Sequence, residues 1–495
     1  MEAYKKLIEL SEELTLLGDT AALLGWDQET MMPAKGVEYR AKQMAYLSGK
    51  SHDLWTRAEV GDWIAQCEDD LSSHDEDEDR CANVRDWRFD YDRATALPRD
   101  LVVEFQETSA LGKATWAEAR EKSDFSIFAP HLEKLVELSK RQAECFGYEE
   151  CAYDALLDGY ERGARASELS KVFAALRPEL VALGKEITDR GPRVAVDLLA
   201  GDYPIEKQQA FNQEVAQQIG FDFDAGRIDT AVHPFCSGVG PRDTRLTTRY
   251  DERDFTSSLF GVLHEAGHGM YDQGLPAEKH HLPVGRAISL GIHESQSRLW
   301  ENHVGRSRGF WQYWLPKAAQ YFPHLASVSL DDMVYAVNQS APSLVRVEAD
   351  EVTYDLHIML RFEVEQAIFS GDLAVADIPA VWNERMLEMF GLQVPDDAQG
   401  CLQDIHWSMG MFGYFPTYSL GNLNASQLME SANKDCPELG GEIAKGDCSS
   451  LLSWMREKVH LQGSVFLPGE LIERATGKAT NSAAHLEHLR GRYLD

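Results

Sequence analysis

The stretch Leu259-Phe260-Gly261-Val262-Leu263-His264-Glu265-Ala266-Gly267-His268-Gly269-Met270 decides how the chain is read. Asp254 or Thr256 can cap a helix here, apolar residues recur at three and four, and Gly274 marks its end. Residues four apart share one helical face, so both imidazoles can reach a single zinc while Glu265 lies alongside as a proton acceptor. Just upstream, Thr244-Arg245-Leu246-Thr247-Thr248-Arg249-Tyr250 alternates polar and apolar residues and reads as a strand. Ser237-Gly238-Val239-Gly240-Pro241 before it reads as a turn, so a small sheet beside a long helix is expected.

With 16 histidines in the chain, such a pentapeptide arises by chance roughly 4% of the time. Catalytic zinc also needs a third protein ligand and an open position. A metzincin would carry Gly at 271 and His at 274, but the chain has Tyr271 and Gly274, which excludes that class. Glu294, in the helically spaced Ala287–Trp300 stretch, is the best candidate. Glu278, His280 and His281 follow Leu275-Pro276 in a loop, where ligand geometry is harder to hold. His293 is a reserve, since a neighbour on a helix points about 100° away. Asp350 is a candidate for orienting an imidazole, or equally a salt-bridge partner in the helical body. Zinc would acidify a bound water and polarise a carbonyl while Glu265 relays the proton, which is metal-assisted amide hydrolysis.

Outward from this segment, helical periodicity dominates, as in Leu7–Leu17 and Leu132–Leu138. At 495 residues the chain exceeds the usual limit of one core, so two lobes, or one large helical body with a cleft, are expected across residues 1–495. A net charge of −33 with no basic stripe argues against nucleic acid. It favours solvation, with a cleft suited to cationic substrate ends as the alternative. No run is apolar enough for a membrane span, and the N-terminal residues read as an amphipathic helix without a signal-peptide core, so a cytoplasmic enzyme is expected. The eight cysteines are scattered with no C-x-x-C pair, as suits reduced thiols. Ser73–Arg80 is an acidic run that reads as a solvated surface feature.

Several motifs beyond the zinc pentapeptide resemble those of the carboxypeptidase Taq family of metallocarboxypeptidases (peptidase family M32). They are His233-Pro234-Phe235, Asp243-Thr244-Arg245-Leu246-Thr247, His293-Glu294-Ser295-Gln296, Arg346-Val347-Glu348-Ala349-Asp350 and Gly400-Cys401-Leu402-Gln403-Asp404-Ile405-His406-Trp407. Gly25-Trp26-Asp27-Gln28, Tyr153–Asp158 and Gly410–Tyr418 carry similar wording over nearly the whole chain. Arg162 stands where the family pattern suggests proline, which touches a turn and not the chemistry. The resemblance implies a mainly α fold: a helical, saddle-like body with a deep central groove, a short sheet along one wall, and a homodimer. It also implies an enzyme activated by zinc, with cobalt as a substitute, that removes residues singly from peptide C-termini with broad tolerance.

Carboxypeptidase action then suggests further roles. A guanidinium pairs with a terminal carboxylate through two parallel bonds, and Arg346 is the choice for that clamp, with Arg245 following the same logic in the strand. His406 and Tyr418 are candidate donors to the oxyanion, as imidazolium and phenol, and His233 is a candidate for shaping the groove wall. Each has a packing role as its alternative, and Trp300, Phe310, Trp311, Trp314, Phe412, Tyr414 and Phe415 are expected in the core or lining the groove. The competing functions are a zinc endopeptidase or oligopeptidase with the same ligands, and an inactive helical binding protein.

Overall fold

A computed structural model describes residues 2–74, 77–192, 194–195 and 197–494. Helix accounts for 71% of it, with 20 α-helices among the described residues and a single three-stranded sheet. The periodic runs fall where their spacing puts them: Leu7–Leu17 lies in the helix Glu2–Thr30 and Leu132–Leu138 in Phe125–Phe146. Leu132, Leu135 and Leu138 are completely buried there, each worth about 1.5–3 kcal/mol of apolar transfer. Of the acidic run, Asp77 caps the helix Glu78–Ala96 through Arg80 N–H, while Asp75 and Glu76 lie outside the described residues.

Two large cores and one small one organise the molecule. The first surrounds the helix Phe255–Gly274, whose Leu259, Val262, Leu263, Ala266 and Met270 are fully buried. It also takes in Trp300, Trp311 and Trp314, the core placement expected of those rings. The second surrounds Tyr354–Ser370, with Phe412 and Phe415. The small one joins the N-terminal helix to Ala58–His74 and Glu78–Ala96. The helix Pro416–Asp435 stitches the two large cores together: Leu420 and Leu423 pack into the second, Ala425 and Leu428 into the first.

The sheet has strands β1 (Gly226–Thr230), β2 (Cys236–Gly240) and β3 (Asp243–Thr248), in the order β1-β3-β2. β1 runs parallel to β3, and β2 antiparallel. The expected strand is β3, ending at Thr248 and not at Tyr250. The expected turn at Ser237–Pro241 is mostly strand β2, because β3 supplies hydrogen-bonding partners that outweigh its glycine content. Its irregular register between Gly238 and Gly240, and the left-handed backbone of Arg242 (φ 65°), place the reversal at 241–242. Leu246 turns inward against the helix Phe255–Gly274, so the sheet backs that helix.

Candidate metal and active site

Asp254 caps Phe255–Gly274 by accepting from the N–H groups of Thr256 and Ser257. One turn apart on that helix, the His264 and His268 rings lie 4.9 Å from centroid to centroid. The crossing helix Leu290–Arg298 starts at Ser289, whose hydroxyl accepts from Ile292 N–H. Buried Glu161 holds the same end by accepting from Gly291 N–H at 3.0 Å. Glu294 Oε2 on this helix lies 3.8 Å from His264 Nε2 and 3.6 Å from His268 Nε2.

Two glycines permit that approach. A Cβ on Gly267 would meet the Gln296 carbonyl oxygen and the Ser297 Cα at 2.6 Å, and one on Gly421 would meet Glu294 Cγ at 2.4 Å. Gly269 clears Phe221 and Leu246 behind the helix. These glycines make room for neighbouring protein groups.

The outward ring nitrogens are each engaged. His264 Nδ1–H donates to Glu301 Oε2 at 2.9 Å. His268 Nδ1 lies 2.6 Å from His293 Nδ1, and His293 Nε2–H donates to Asp272 Oδ1 at 3.2 Å. Because an ionised carboxylate only accepts, His293 carries its proton on Nε2 and accepts at Nδ1. His268 therefore donates from Nδ1, and both His264 and His268 turn an Nε2 lone pair toward Glu294. Glu294 Oε1 accepts from Arg298 Nε at 2.6 Å, leaving Oε2 for the shared point.

Glu301, Arg298, Asp272 and His293 thus form the outer support. The residue proposed from sequence for that work, Asp350, is elsewhere: it accepts from Ser340, Ala341, Val352 and Thr353, bracing its own loop. Glu301 and Arg298 were visible as positions seven and four residues beyond Glu294, and Asp272 as four beyond His268, all on shared helical faces. His280 instead pairs with Asp19 on the N-terminal helix at 3.0 Å.

The charges suit a dication. Burial opposes protonation of His264, but Glu294 and Glu301 outweigh it and raise its pKa. Burial, with His293 and His264 adding to it, pushes His268 far down. Burial works against the Glu294 carboxylate too, yet Arg298 and His264 hold its pKa below the ordinary value. Glu301 is likewise buried but held at about 2 by His264 and Arg298. Glu265, 6% exposed, is pushed up to about 7 by burial against the partial relief of His264. Two ionised carboxylates, Glu294 and Glu301, are thus paired with two permanent cations, Arg298 and Arg306, beside the two imidazole Nε2 atoms, with Glu265 near neutrality alongside. His264, His268 and Glu294, with ligand atoms all within 4.8 Å of one another, fit a divalent metal by donor type and convergence.

The other sequence candidates divide into two groups. Arg346 is 6% exposed, with Nε and Nη2 on Asp404 Oδ1 (3.0 and 2.8 Å) and Nη1 donating to the Tyr354 hydroxyl. Burial opposes the Asp404 charge, but Arg361 and Arg346 hold its carboxyl far below the usual range. Tyr418 lies against this cation, its ring 5.0 Å from Arg346 Cζ, and burial raises its phenol well above the ordinary value. The His406 ring lies tilted against those of Phe415 and Tyr414, and burial lowers its pKa to about 4 even though Asp404 opposes the fall, so it is neutral near pH 7 and not the imidazolium expected. Tyr354 connects this cluster to the ligand set, because Arg298 Cζ lies 4.7 Å over its ring. Arg245 and His233 fall outside it. Arg245 pairs with Asp243 at 2.8 Å through two nitrogens and covers Trp26 of the N-terminal helix, while His233 is exposed on the loop between β1 and β2.

Comparison with known proteins gives a consistent result. A family model described as carboxypeptidase Taq (M32) metallopeptidase matches residues 6–493. Thermostable carboxypeptidase 1 of Thermus thermophilus is 44% identical, covering 99% of this chain and 98% of its own length. Carboxypeptidase 1 of Bacillus subtilis is 37% identical, over 99% of this chain and 97% of its own. The crystal structure of an M32 carboxypeptidase from Deinococcus radiodurans superposes with a TM-score of 0.96 at 39% identity, covering 100% of this chain and 99% of that one. With its helical fold, its ligand geometry and this full-length similarity, the chain belongs to the carboxypeptidase Taq (M32) metallopeptidase family and is a metal-dependent carboxypeptidase.

Proposed function

We propose that the metal is zinc, replaceable by cobalt, held by His264, His268 and Glu294, and that the enzyme releases single amino acids from peptide C-termini with broad side-chain tolerance. The observation that carries this is the convergence of two imidazole nitrogens and one carboxylate oxygen within 4.8 Å. A divalent ion there supplies Lewis-acid polarisation of the scissile carbonyl and acidifies the attacking water.

The chain's own groups do the rest. Glu265, poised near neutrality by burial, accepts the proton of the attacking water and returns it to the departing amine nitrogen. Glu301 and His293 hold the two rings so that neither can rotate its Nε2 away. Tyr418 retains its phenolic proton throughout the working pH range, which favours it over neutral His406 as the donor to the oxyanion. Arg346 supplies the positive charge for the substrate's terminal carboxylate, its guanidinium fixed by Asp404; Arg245 and His233 are proposed as more distant groove residues.

Further parts of the proposal are that residues 1–495 act as one domain of two lobes around the site, that the enzyme is a cytoplasmic homodimer, and that its partners are peptides. The two cores joined by Pro416–Asp435 support the first point, the eight free thiols suit a reducing compartment, and the homodimer rests on the family resemblance alone. No helix among the described residues is long and apolar enough to cross a membrane.

Mass spectrometry of a digested peptide separates the readings. A ladder of single-residue losses that largely disappears when the C-terminus is amidated is the expected result. Internal cleavage indifferent to amidation would favour an endopeptidase, and no hydrolysis by the metal-loaded protein would remove catalysis.

A further inference from the structure

The helix carrying Glu294 continues without a break into a π-turn, Leu299–Gly305, in which Glu301 is the third residue. π-turns are rare and concentrate at functional sites, and the carbonyl end of any helix needs partners from outside it. Here those partners come from the far end of the chain. Arg492, on the C-terminal helix Ala483–Tyr493, donates from Nη1 to the Asn302 carbonyl and from Nη2 to that of His303 at 3.5 Å. A cation at this end also complements the helix dipole.

Arg492 is itself held. Its Nη1 lies 3.4 Å from Glu351 Oε2, which also accepts from the Tyr493 hydroxyl, while Glu351 Oε1 accepts from His488 Nε2–H at 2.8 Å. The His488 ring rests 3.9 Å from that of His303, which meets Ser426 Oγ through Nε2 at 3.1 Å. On the other side of the turn, Arg306 reaches Asn302 Oδ1 and Glu301 Oε1.

His303, Glu351 and His488 also form a group of metal-ligand type, with ligand atoms within 4.8 Å of one another. Arg492 decides against a second metal. It already supplies the cation beside Glu351, and both Nε2 atoms are committed to hydrogen bonds. A dication would have to share one carboxylate with a guanidinium.

We propose that Arg492, anchored by Glu351, is a positioning residue for the catalytic metal: it caps the ligand helix, fixes the π-turn, and thereby keeps Glu301 on Nδ1 of His264. The inference rests on the metal site proposed above.

The test is zinc affinity by competition with a chromogenic chelator, on full-length wild type, Glu301→Gln, Arg492→Gln, Arg492→Lys and the double variant Glu301→Gln/Arg492→Gln. Glu301→Gln is expected to weaken zinc about 10–100-fold, as loss of an imidazole's outer partner does. Arg492→Gln should weaken it about 10-fold. The double variant should bind no worse than Glu301→Gln alone, and Arg492→Lys should recover part of the loss. At saturating zinc, KM should return to the wild-type value. Arg492→Lys keeps the charge beside Glu351 and serves if Arg492→Gln does not fold; it is then combined with Glu301→Gln in the same cycle. Additive losses, or a lowered melting temperature with unchanged zinc affinity, would overturn the proposal. So would two zinc ions per chain by elemental analysis, falling to one in His488→Ala. Wild type that binds no zinc would remove the metal site itself, an outcome distinct from wild-type binding that Arg492 does not influence.

Discussion

Gly267 and Ser297 stand so close that a methyl group on the glycine would lie 2.6 Å from the serine Cα. The distance between the two ligand helices is therefore set by a missing side chain. In an open helix, alanine in place of glycine is favoured by about 1 kcal/mol. Against backbone atoms the contact wins, and Gly267→Ala should destabilise by about 1–3 kcal/mol and weaken zinc. Urea denaturation and zinc titration check this, with Gly440→Ala, in the helix Leu439–Ile443 and with nothing within 4 Å, as the open-helix control expected to gain up to about 1 kcal/mol and leave zinc binding unchanged.

Glu265 has no role as a ligand, so its loss should separate chemistry from metal binding. Glu265→Gln is expected to lower kcat about 10²–10⁴-fold, the range for a general base, with zinc content by elemental analysis unchanged. Loss of zinc together with activity would assign Glu265 to metal retention.

Glu161 provides a pH signature away from the chemistry. Burial pushes its pKa up from 4.5 to about 7, with Ser289 and Gly291 N–H only partly opposing it. Between those values the native state keeps a proton that the unfolded chain has lost. The contribution to stability is thus complete below pH 4.5 and disappears as pH rises through 7, a change of about 3 kcal/mol. Glu161→Gln, whose amide can donate to Ser289 Oγ and accept from Gly291 N–H, should flatten this limb and gain stability at pH 8. Denaturation midpoints at pH 5 and 8 measure it.

Arg346 is predicted to separate substrates by their C-terminal charge. Arg346→Lys keeps a cation beside Asp404 but loses the planar fork. Its kcat/KM for peptides with a free C-terminus should fall about 100-fold, corresponding to roughly 3 kcal/mol of a charge-assisted pair. The slow turnover of amidated peptides should change little. An equal fall for both would mean that Arg346 only braces Asp404. Arg346→Ala is a poorer probe, since stripping one partner from a buried ion pair costs about 3–5 kcal/mol of stability.

Some parts of this molecule were readable residue by residue. The Phe255–Gly274 helix, its Asp254 cap and the inward-facing strand β3 follow from periodicity, because those patterns record which face is buried. Strand β1 was missed and β2 was read as a turn, because two short strands rich in glycine and polar residues become strands only through the partner between them. Asp350, a candidate for orienting an imidazole or equally for a salt bridge, does neither for a related reason: a carboxylate's partners depend on which donors its loop delivers, and Asp350 accepts five hydrogen bonds from Ser340, Ala341, Val352 and Thr353.

By itself, the chain's order of residues determined the helices, the chemistry of the proposed ligands and the one-turn spacing of His264 and His268, since each arises from interactions within a few residues. Tertiary structure decided which groups meet and in what charge state. His264 and Glu301 are 37 positions apart, Arg346 and Asp404 58, and Arg492 and Asn302 190. The physical reason is that desolvation and ion pairing depend on what surrounds a group in space. Glu265, next to His264 in sequence, and Glu301, seven residues beyond Glu294, carry the same carboxyl group, yet burial leaves one at about 7 while His264 and Arg298 hold the other at about 2.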